Sequence, residues 1–179
     1  MRKYHTKDLI ADNLADIIRQ NNIDKITVTE LVEKCDISRQ TFYYHFRDIS
    51  DAIDWMITRV VYRIFESSLD VNNLYESIRL LIEKCQKYNK PLNALLNSQK
   101  REDLEVSLSK ALRRAIVKSL EYFHAGDKIL EEHRSMFLDF YTYGIVGIIL
   151  DNNFKTEKEI AKATDFIYQI VNTQFEEIS

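Results

Sequence analysis

Glycine and proline are almost absent: three glycines (Gly126, Gly144, Gly147) and one proline (Pro91) in 179 residues. So few backbone punctuators argue against a turn-rich sheet protein or a Pro/Gly linker, and favour long helices. They also exclude a glycine-rich phosphate loop. Only two cysteines occur, Cys35 and Cys85, without metal-ligand spacing around them. They read as small buried hydrophobes in a reducing compartment. The four histidines (His5, His45, His124, His133) are scattered, and none stands in an H-E-x-x-H-like arrangement. Glu131-Glu132-His133 reads as a solvated helix face. No catalytic residue, metal site or cofactor is therefore expected. The start MRKYHTKD has no apolar core of a signal peptide. The most apolar stretch, around Phe140–Leu150, is too short and tyrosine-rich to span a bilayer. A cytoplasmic protein with no membrane partner is the expectation.

What is present suits a soluble chain with a sizeable core: 45% hydrophobic and 30% charged residues, with a net charge of −3. That sign is awkward for a nucleic-acid binder, so its distribution matters. Residues 1–47 carry eight Lys/Arg against seven Asp/Glu, a balance of +1 that leaves −4 for the remainder. Arg2, Lys3, Lys7, Arg39 and Arg47 are the cations that could form an oriented patch. A weak basic patch on an acidic body would suppress non-specific binding while permitting specific binding.

The stretch TVTELVEKCDISRQTFYYHF, residues 27–46, is the most informative segment. Thr27 and Glu30 stand at capping-box spacing, and Val28, Leu31, Val32 and Cys35 then form one apolar stripe. The pattern breaks at Asp36-Ile37. Asp tolerates positive φ, so Asp36 is the expected turn residue, and Ser38 can cap a second helix to about His45. At about 100° per residue, Phe42 and Phe46 face inward, Gln40 and Tyr44 fall almost opposite, and Thr41 and Tyr43 flank them. Arg39 sits near the inner edge. Arg and Gln can pair with purine edges, and hydroxyls can fix phosphates. A helical hairpin whose aromatic residues only pack on a neighbour would share the pattern.

The run ITVTELVEKCDISRQTFYYHFRD resembles the signature of TetR-type transcriptional regulators. The matching positions are Ile26, Thr27, Val28, Leu31, Ile37, Ser38, Thr41, Phe42, Tyr43, His45 and Phe46. Two positions depart from it: Asp36 replaces the usual turn glycine, and Ile49 a basic residue for which Arg47 is the nearest substitute. The resemblance implies an all-α fold of about nine helices. An N-terminal three-helix helix-turn-helix head, residues 1–49, would join a larger helical ligand-binding and dimerisation body, residues 50–179. The implied DNA contacts are Thr29, Ser38, Arg39, Gln40, Thr41, Tyr43, Tyr44, His45 and Arg47.

The expected helices are Thr6–Gln20, the reading pair, a long helix capped by Ser50 and running to about Ser67, Leu74–Tyr88, Pro91–Leu96, Leu104–Phe123, Asp127–Leu150, and a last one capped by Thr156 and Glu159. In the family a pocket lies inside the body, and Trp55, Tyr62, Tyr88, His124, Phe137 and Tyr141 are candidates to line it. The helix ending at Leu150 becomes apolar almost all round, which implies burial on every side. Tyr143, Gly144, Gly147 and Ile148 in it, with Ile167, Ile170 and Val171 in the last helix, are the candidate interface of a homodimer. Otherwise they finish the monomer's core.

The function so implied is that of a repressor binding palindromic operator DNA as a dimer, switched by a small-molecule effector or partner protein. Two alternatives stay open. The wording FYYHFRDISDAIDW is similar to a subgroup around dihydroxyacetone-kinase operon activators, where a partner protein carries the signal. A helical protein-interaction adaptor without DNA binding would explain the acidic body but not the Arg39–His45 face.

Overall fold

The structure is a computed structural model that describes residues 2–20, 23–69, 74–86, 88–122, 129, 131–151 and 156–176. Among these residues there are nine α-helices and no strand. The helices are α1 (Arg2–Gln20), α2 (Val28–Lys34), α3 (Arg39–His45), α4 (Ile49–Leu69), α5 (Leu74–Gln86), α6 (Asn89–Leu96), α7 (Arg101–Tyr122), α8 (Arg134–Asp151) and α9 (Glu157–Glu176). They fall into two compact units. One comprises residues 1–60 and 90–108, the other residues 61–89 and 109–179.

In the first unit, α1 buries Ile10, Leu14, Ile17 and Ile18 completely or nearly so. These are the positions its periodicity selects. The helix starts at Arg2 and not Thr6, since nothing in between breaks a helix. A 3₁₀ turn, Ile23–Lys25, buries Ile23 and presents Asp24, whose carboxylate accepts from the Gln99 amide at 3.0 Å. α4 is capped by Asp48 and not by Ser50. The Asp48 carbonyl accepts from the Ala52 amide at 3.2 Å and its carboxylate from the Asp51 amide at 2.8 Å. Asp51 reaches back to the Arg47 amide at 3.0 Å, a capping box shifted by one residue.

Arg59 ties α4 to α1. Its Nη1 donates to the Asp8 carbonyl at 3.0 Å, its Nε lies 3.2 Å from the Asp8 carboxylate, and its Nη2 meets Asp12. The Arg59 side chain is nearly buried, so this pair counts for more than an exposed ion pair would. Pro91 is the third residue of α6 and not the first. Its missing N–H still falls among those a first turn leaves without intrahelical partners.

In the second unit, α5 and α9 pack most extensively. Ile82 and Ile160 form the centre, covered by Ile78, Ile148, Ala163 and Ile167. The rim is polar: the Tyr75 hydroxyl donates to Asp165 at 2.8 Å, and Arg79 bridges Glu83 and Glu157. α9 begins with the full reciprocal capping box. The Glu159 amide donates to the Thr156 hydroxyl at 3.3 Å and the Thr156 amide to the Glu159 carboxylate at 2.9 Å. α8 starts at Arg134 behind a 3₁₀ turn, Glu131–His133; the expected start at Asp127 lies outside the described residues. Both cysteines are free, and burial pushes the Cys85 thiol up to about 12. No described helix is long and apolar enough to cross a membrane.

Candidate nucleic-acid interface

The α2–α3 pair is built almost wholly by local chemistry. The Thr27 hydroxyl accepts from the Glu30 amide at 3.2 Å and opens α2. α2 closes with a Schellman motif: the Ile37 amide donates to the Val32 carbonyl at 3.0 Å and the Asp36 amide to the Glu33 carbonyl at 3.2 Å. This closure needs a left-handed residue, and Asp36 takes it with φ 53°. No other non-glycine residue with positive φ occurs among those described. Ser38 caps α3, accepting from the Thr41 amide at 3.0 Å and pairing with the Thr41 hydroxyl at 2.9 Å.

Phe42 is fully buried and Phe46 nearly so, 5.8 Å apart between ring centroids. That anchor turns the opposite face outward. Tyr43 is 57% exposed, Tyr44 is 70% exposed, and Arg39 and Gln40 are open to solvent. Thr41 and His45 are half-buried at the margin, with His45 edge-on to Tyr44 at 5.1 Å. Arg47 is exposed just past α3, and its guanidinium lies 3.8 Å from Asp51. Thr29, on the first turn of α2, accepts from the Arg39 guanidinium across the turn. Both stand among the implied DNA contacts, and their spacing in the sequence does not disclose that they touch.

The basic leader is partly committed elsewhere. The Lys7 ammonium sits over the Trp55 ring at 4.4 Å and over Phe46 at 4.9 Å, a cation–π stack at the foot of α3. Lys7 is thus a packing residue as well as a charge. Nothing in the spacing of Lys7 and Trp55 could have disclosed this.

A second surface lies on α8 and α9. An apolar cleft is lined by Tyr141, Gly144, Ile148, Ile167, Ile170 and Val171, together with Phe140, Ile145 and Phe166. Beside it α8 leaves Met136 67%, Phe140 70% and Tyr143 66% exposed. A Cβ atom at Gly144 or Gly147 would meet nothing within 4 Å. Burial on every side is therefore not met within one chain: α8 buries Leu138, Thr142 and Val146, half-buries Ile145, Ile148, Ile149 and Leu150, and exposes Met136, Phe140 and Tyr143. Met136, Phe140 and Phe166 were missed as surface residues. The i, i+4, i+7 spacing of Met136, Phe140 and Tyr143 was the available signal, hidden by the apolar residues around it.

The TetR-type family model described as a transcriptional regulator C-terminal region matches residues 72–172. The chain belongs to the TetR family of transcriptional regulators. No curated protein sequence matches it significantly. Among solved structures, the dihydroxyacetone kinase operon activator DhaS superposes with a TM-score of 0.55 at 18% identity, over 97% of this chain and 96% of that one. A TetR family transcription regulator from Marinobacter aquaeolei VT8 superposes with a TM-score of 0.50 at 14% identity, over 94% and 97%. At such identities these likenesses bear on the fold alone.

In this TetR-family protein the candidate pocket residues divide. Trp55 belongs to the first unit, under Lys7. Tyr62, Tyr88, Phe137 and Tyr141 belong to the second unit, and His124 lies outside the described residues. Tyr62 is exposed, with the Lys118 ammonium 4.4 Å above its ring. Phe137 and Tyr141 stack at 4.4 Å, and burial raises the Tyr141 phenol above its ordinary pKa. Tyr141 also lines the α8–α9 cleft, so one side chain joins the two sets. No three described His, Cys, Asp or Glu residues come together as a metal site.

Proposed function

We propose that this protein is a sequence-specific DNA-binding regulator that acts as a homodimer on a palindromic operator, with residues 1–49 as the reading head and 50–179 as the regulatory and dimerisation body. The observation that carries the reading is α3. It projects Arg39, Gln40, Tyr43 and Tyr44 into solvent from a helix locked by Ser38 and the buried Phe42. A helix-turn-helix dimer sets two such helices in successive major grooves, about 34–36 Å apart. Phosphate contacts then fall to Ser38, Thr41, Tyr43 and Arg47, and base contacts to Gln40 and Arg39.

The exposed aromatic face of α8 and its open glycine flank support pairing through α8 and α9, since exposed apolar patches of this kind mark interfaces. A cytoplasmic repressor released by a small molecule bound in the body, beside the stacked Phe137 and Tyr141, is the first reading. Activation through a partner protein is the second reading. It is favoured by the likeness to DhaS, an operon activator by name, and by the FYYHFRDISDAIDW wording. Selection from a randomised duplex library, read at two salt concentrations, tests DNA binding. A palindromic consensus bound by the dimer supports it, and enrichment of no sequence defeats it. Placing that consensus before a reporter gene, with and without the protein, then separates repression from activation.

A further inference from the structure

The Arg39 guanidinium donates through Nη2 to the Thr29 hydroxyl, linking the first residue of α3 to the first turn of α2. Arg39 is exposed, and among the described residues it forms no ion pair with a carboxylate. An unpaired arginine on a surface ordinarily samples many rotamers, and ordering it on binding costs free energy. Here one neutral acceptor already orders it. The geometry points to Thr29 as a positioning residue: its hydroxyl aims the Arg39 guanidinium into the groove without itself touching DNA. This rests on the DNA-reading function proposed above.

The donor inventory makes the arrangement workable. Arginine has five N–H donors in a planar fork, and it can read the O6 and N7 of guanine with two of them. Nη2 carries two hydrogens, one on the edge shared with Nε and one on the edge shared with Nη1. Whichever of the two Thr29 takes, the other edge keeps both its donors. The hydrogen bond therefore fixes the plane of the guanidinium and leaves one complete pair free. A carboxylate in place of Thr29 would hold the plane as firmly but neutralise the charge that guanine and phosphate attract. A hydroxyl does the first without the second. Position also matters, because the N-terminal residues of a recognition helix are the ones that approach base edges.

A structural role for the pair, tying α2 to α3, predicts lost stability and no change in base preference. A direct phosphate contact by Thr29 predicts uniform weakening on every sequence. Positioning predicts something else: a loss confined to one base pair per half-site. The test uses the full-length protein and randomised-operator selection, with affinities measured on the selected site and on its single-base variants. Thr29→Val removes the hydroxyl at nearly constant shape. It should lower discrimination at one guanine position about tenfold, the range expected for one bidentate contact. Binding to unrelated DNA at low salt should be unchanged. Thr29→Ser should restore the preference. In an Arg39→Ala background Thr29→Val should change nothing further, because the residue it orients is gone.

Arg39→Lys removes the planar fork and should lose the same base preference, which identifies the arginine as the reader. Thr29→Ala removes the hydroxyl with a better helix former and should lose that preference too, which keeps the inference testable if Thr29→Val unfolds the head. Equal weakening on all sequences by Thr29→Val, or an undiminished effect of it in the Arg39→Ala background, overturns positioning while leaving DNA reading intact. Failure of the wild-type protein to select any site overturns the DNA reading itself, and the positioning role with it.

Discussion

The Lys100 ammonium donates to the Ser50 hydroxyl at 2.7 Å, joining the turn before α7 to the first turn of α4. One residue earlier, the Gln99 amide donates to Asp24 beside α2. A short segment, residues 97–100, thus touches the first unit on both sides of the α2–α3 pair. Lys100→Met should cost little stability, about 1 kcal/mol or less, because the pair is only partly buried. Asp24→Ala should cost a similar amount. Urea unfolding of the two single variants and the double variant checks this, with near-additive losses expected for sites that share no partner.

Substitutions at Gly144 and Gly147 test the proposed dimer face against a packed core. In the single chain a methyl group at either position meets nothing within 4 Å. Gly144→Ala should therefore not destabilise the isolated chain, and should add up to about 1 kcal/mol from helix propensity. Gly147→Arg should leave helicity intact and shift the mass from twice 21.2 kDa to one chain of 21.2 kDa. Light scattering with circular dichroism measures both. A wild-type protein of single-chain mass at micromolar concentration would refute the dimer.

Gln40 and Tyr43 should behave differently on DNA. Gln40→Ala should cost roughly 1–3 kcal/mol on the selected operator and relax preference at one base pair per half-site. Tyr43→Phe should weaken all sequences about equally, as loss of a phosphate-binding hydroxyl would. Fluorescence anisotropy on the consensus and on single-base variants distinguishes the two patterns. An unchanged preference after Gln40→Ala removes it as a base reader.

The Cys85 thiol gives a pH-dependent signature. Burial raises it from 9.0 to about 12. The unfolded chain therefore ionises this thiol first as pH rises, and stability present below pH 9 is lost between there and about 12. Cys85→Ala should flatten that alkaline decline while lowering stability at neutral pH through lost packing. Urea midpoints from pH 7 to 10.5 measure both effects. Alkylation of Cys85 by iodoacetamide at pH 8 should be slow in the folded chain and speed up on unfolding.

The sequence disclosed best what lies within four residues. The Thr27 and Thr156 caps, the Ser38 cap and the positive φ of Asp36 each rest on one side chain and its neighbours, and each was legible. Where two residues could do one job, the reading slipped: Asp48 and Ser50 both suit an N-cap, and only the structure reports that Asp48 takes it. The residues facing outward from α3 followed from the inward direction of Phe42. Contacts across the fold had no local signature. The Thr29–Arg39 bond, the Lys7 stack on Trp55 and the Arg59 tie to Asp8 are ten, 48 and 51 residues apart along the chain. Composition gave the amount of apolar surface on α8 but not that Met136, Phe140 and Tyr143 are the residues left exposed.

The packing of α5 on α9 constrains how the protein can be made. Tyr75 meets Asp165 and Arg79 meets Glu157, separations of 90 and 78 residues. A ribosome therefore finishes α5 long before the partner of its apolar stripe exists. Residues 90–108, which belong to the unit of α1 to α3, are translated in that interval, so the first unit can be completed while α5 still waits. Until α9 emerges, Ile78 and Ile82 lack their cover, and such a nascent chain offers chaperones and proteases an apolar target. A frameshift ahead of residue 157 should thus yield a degraded polypeptide and not a stable fragment that holds the first unit alone.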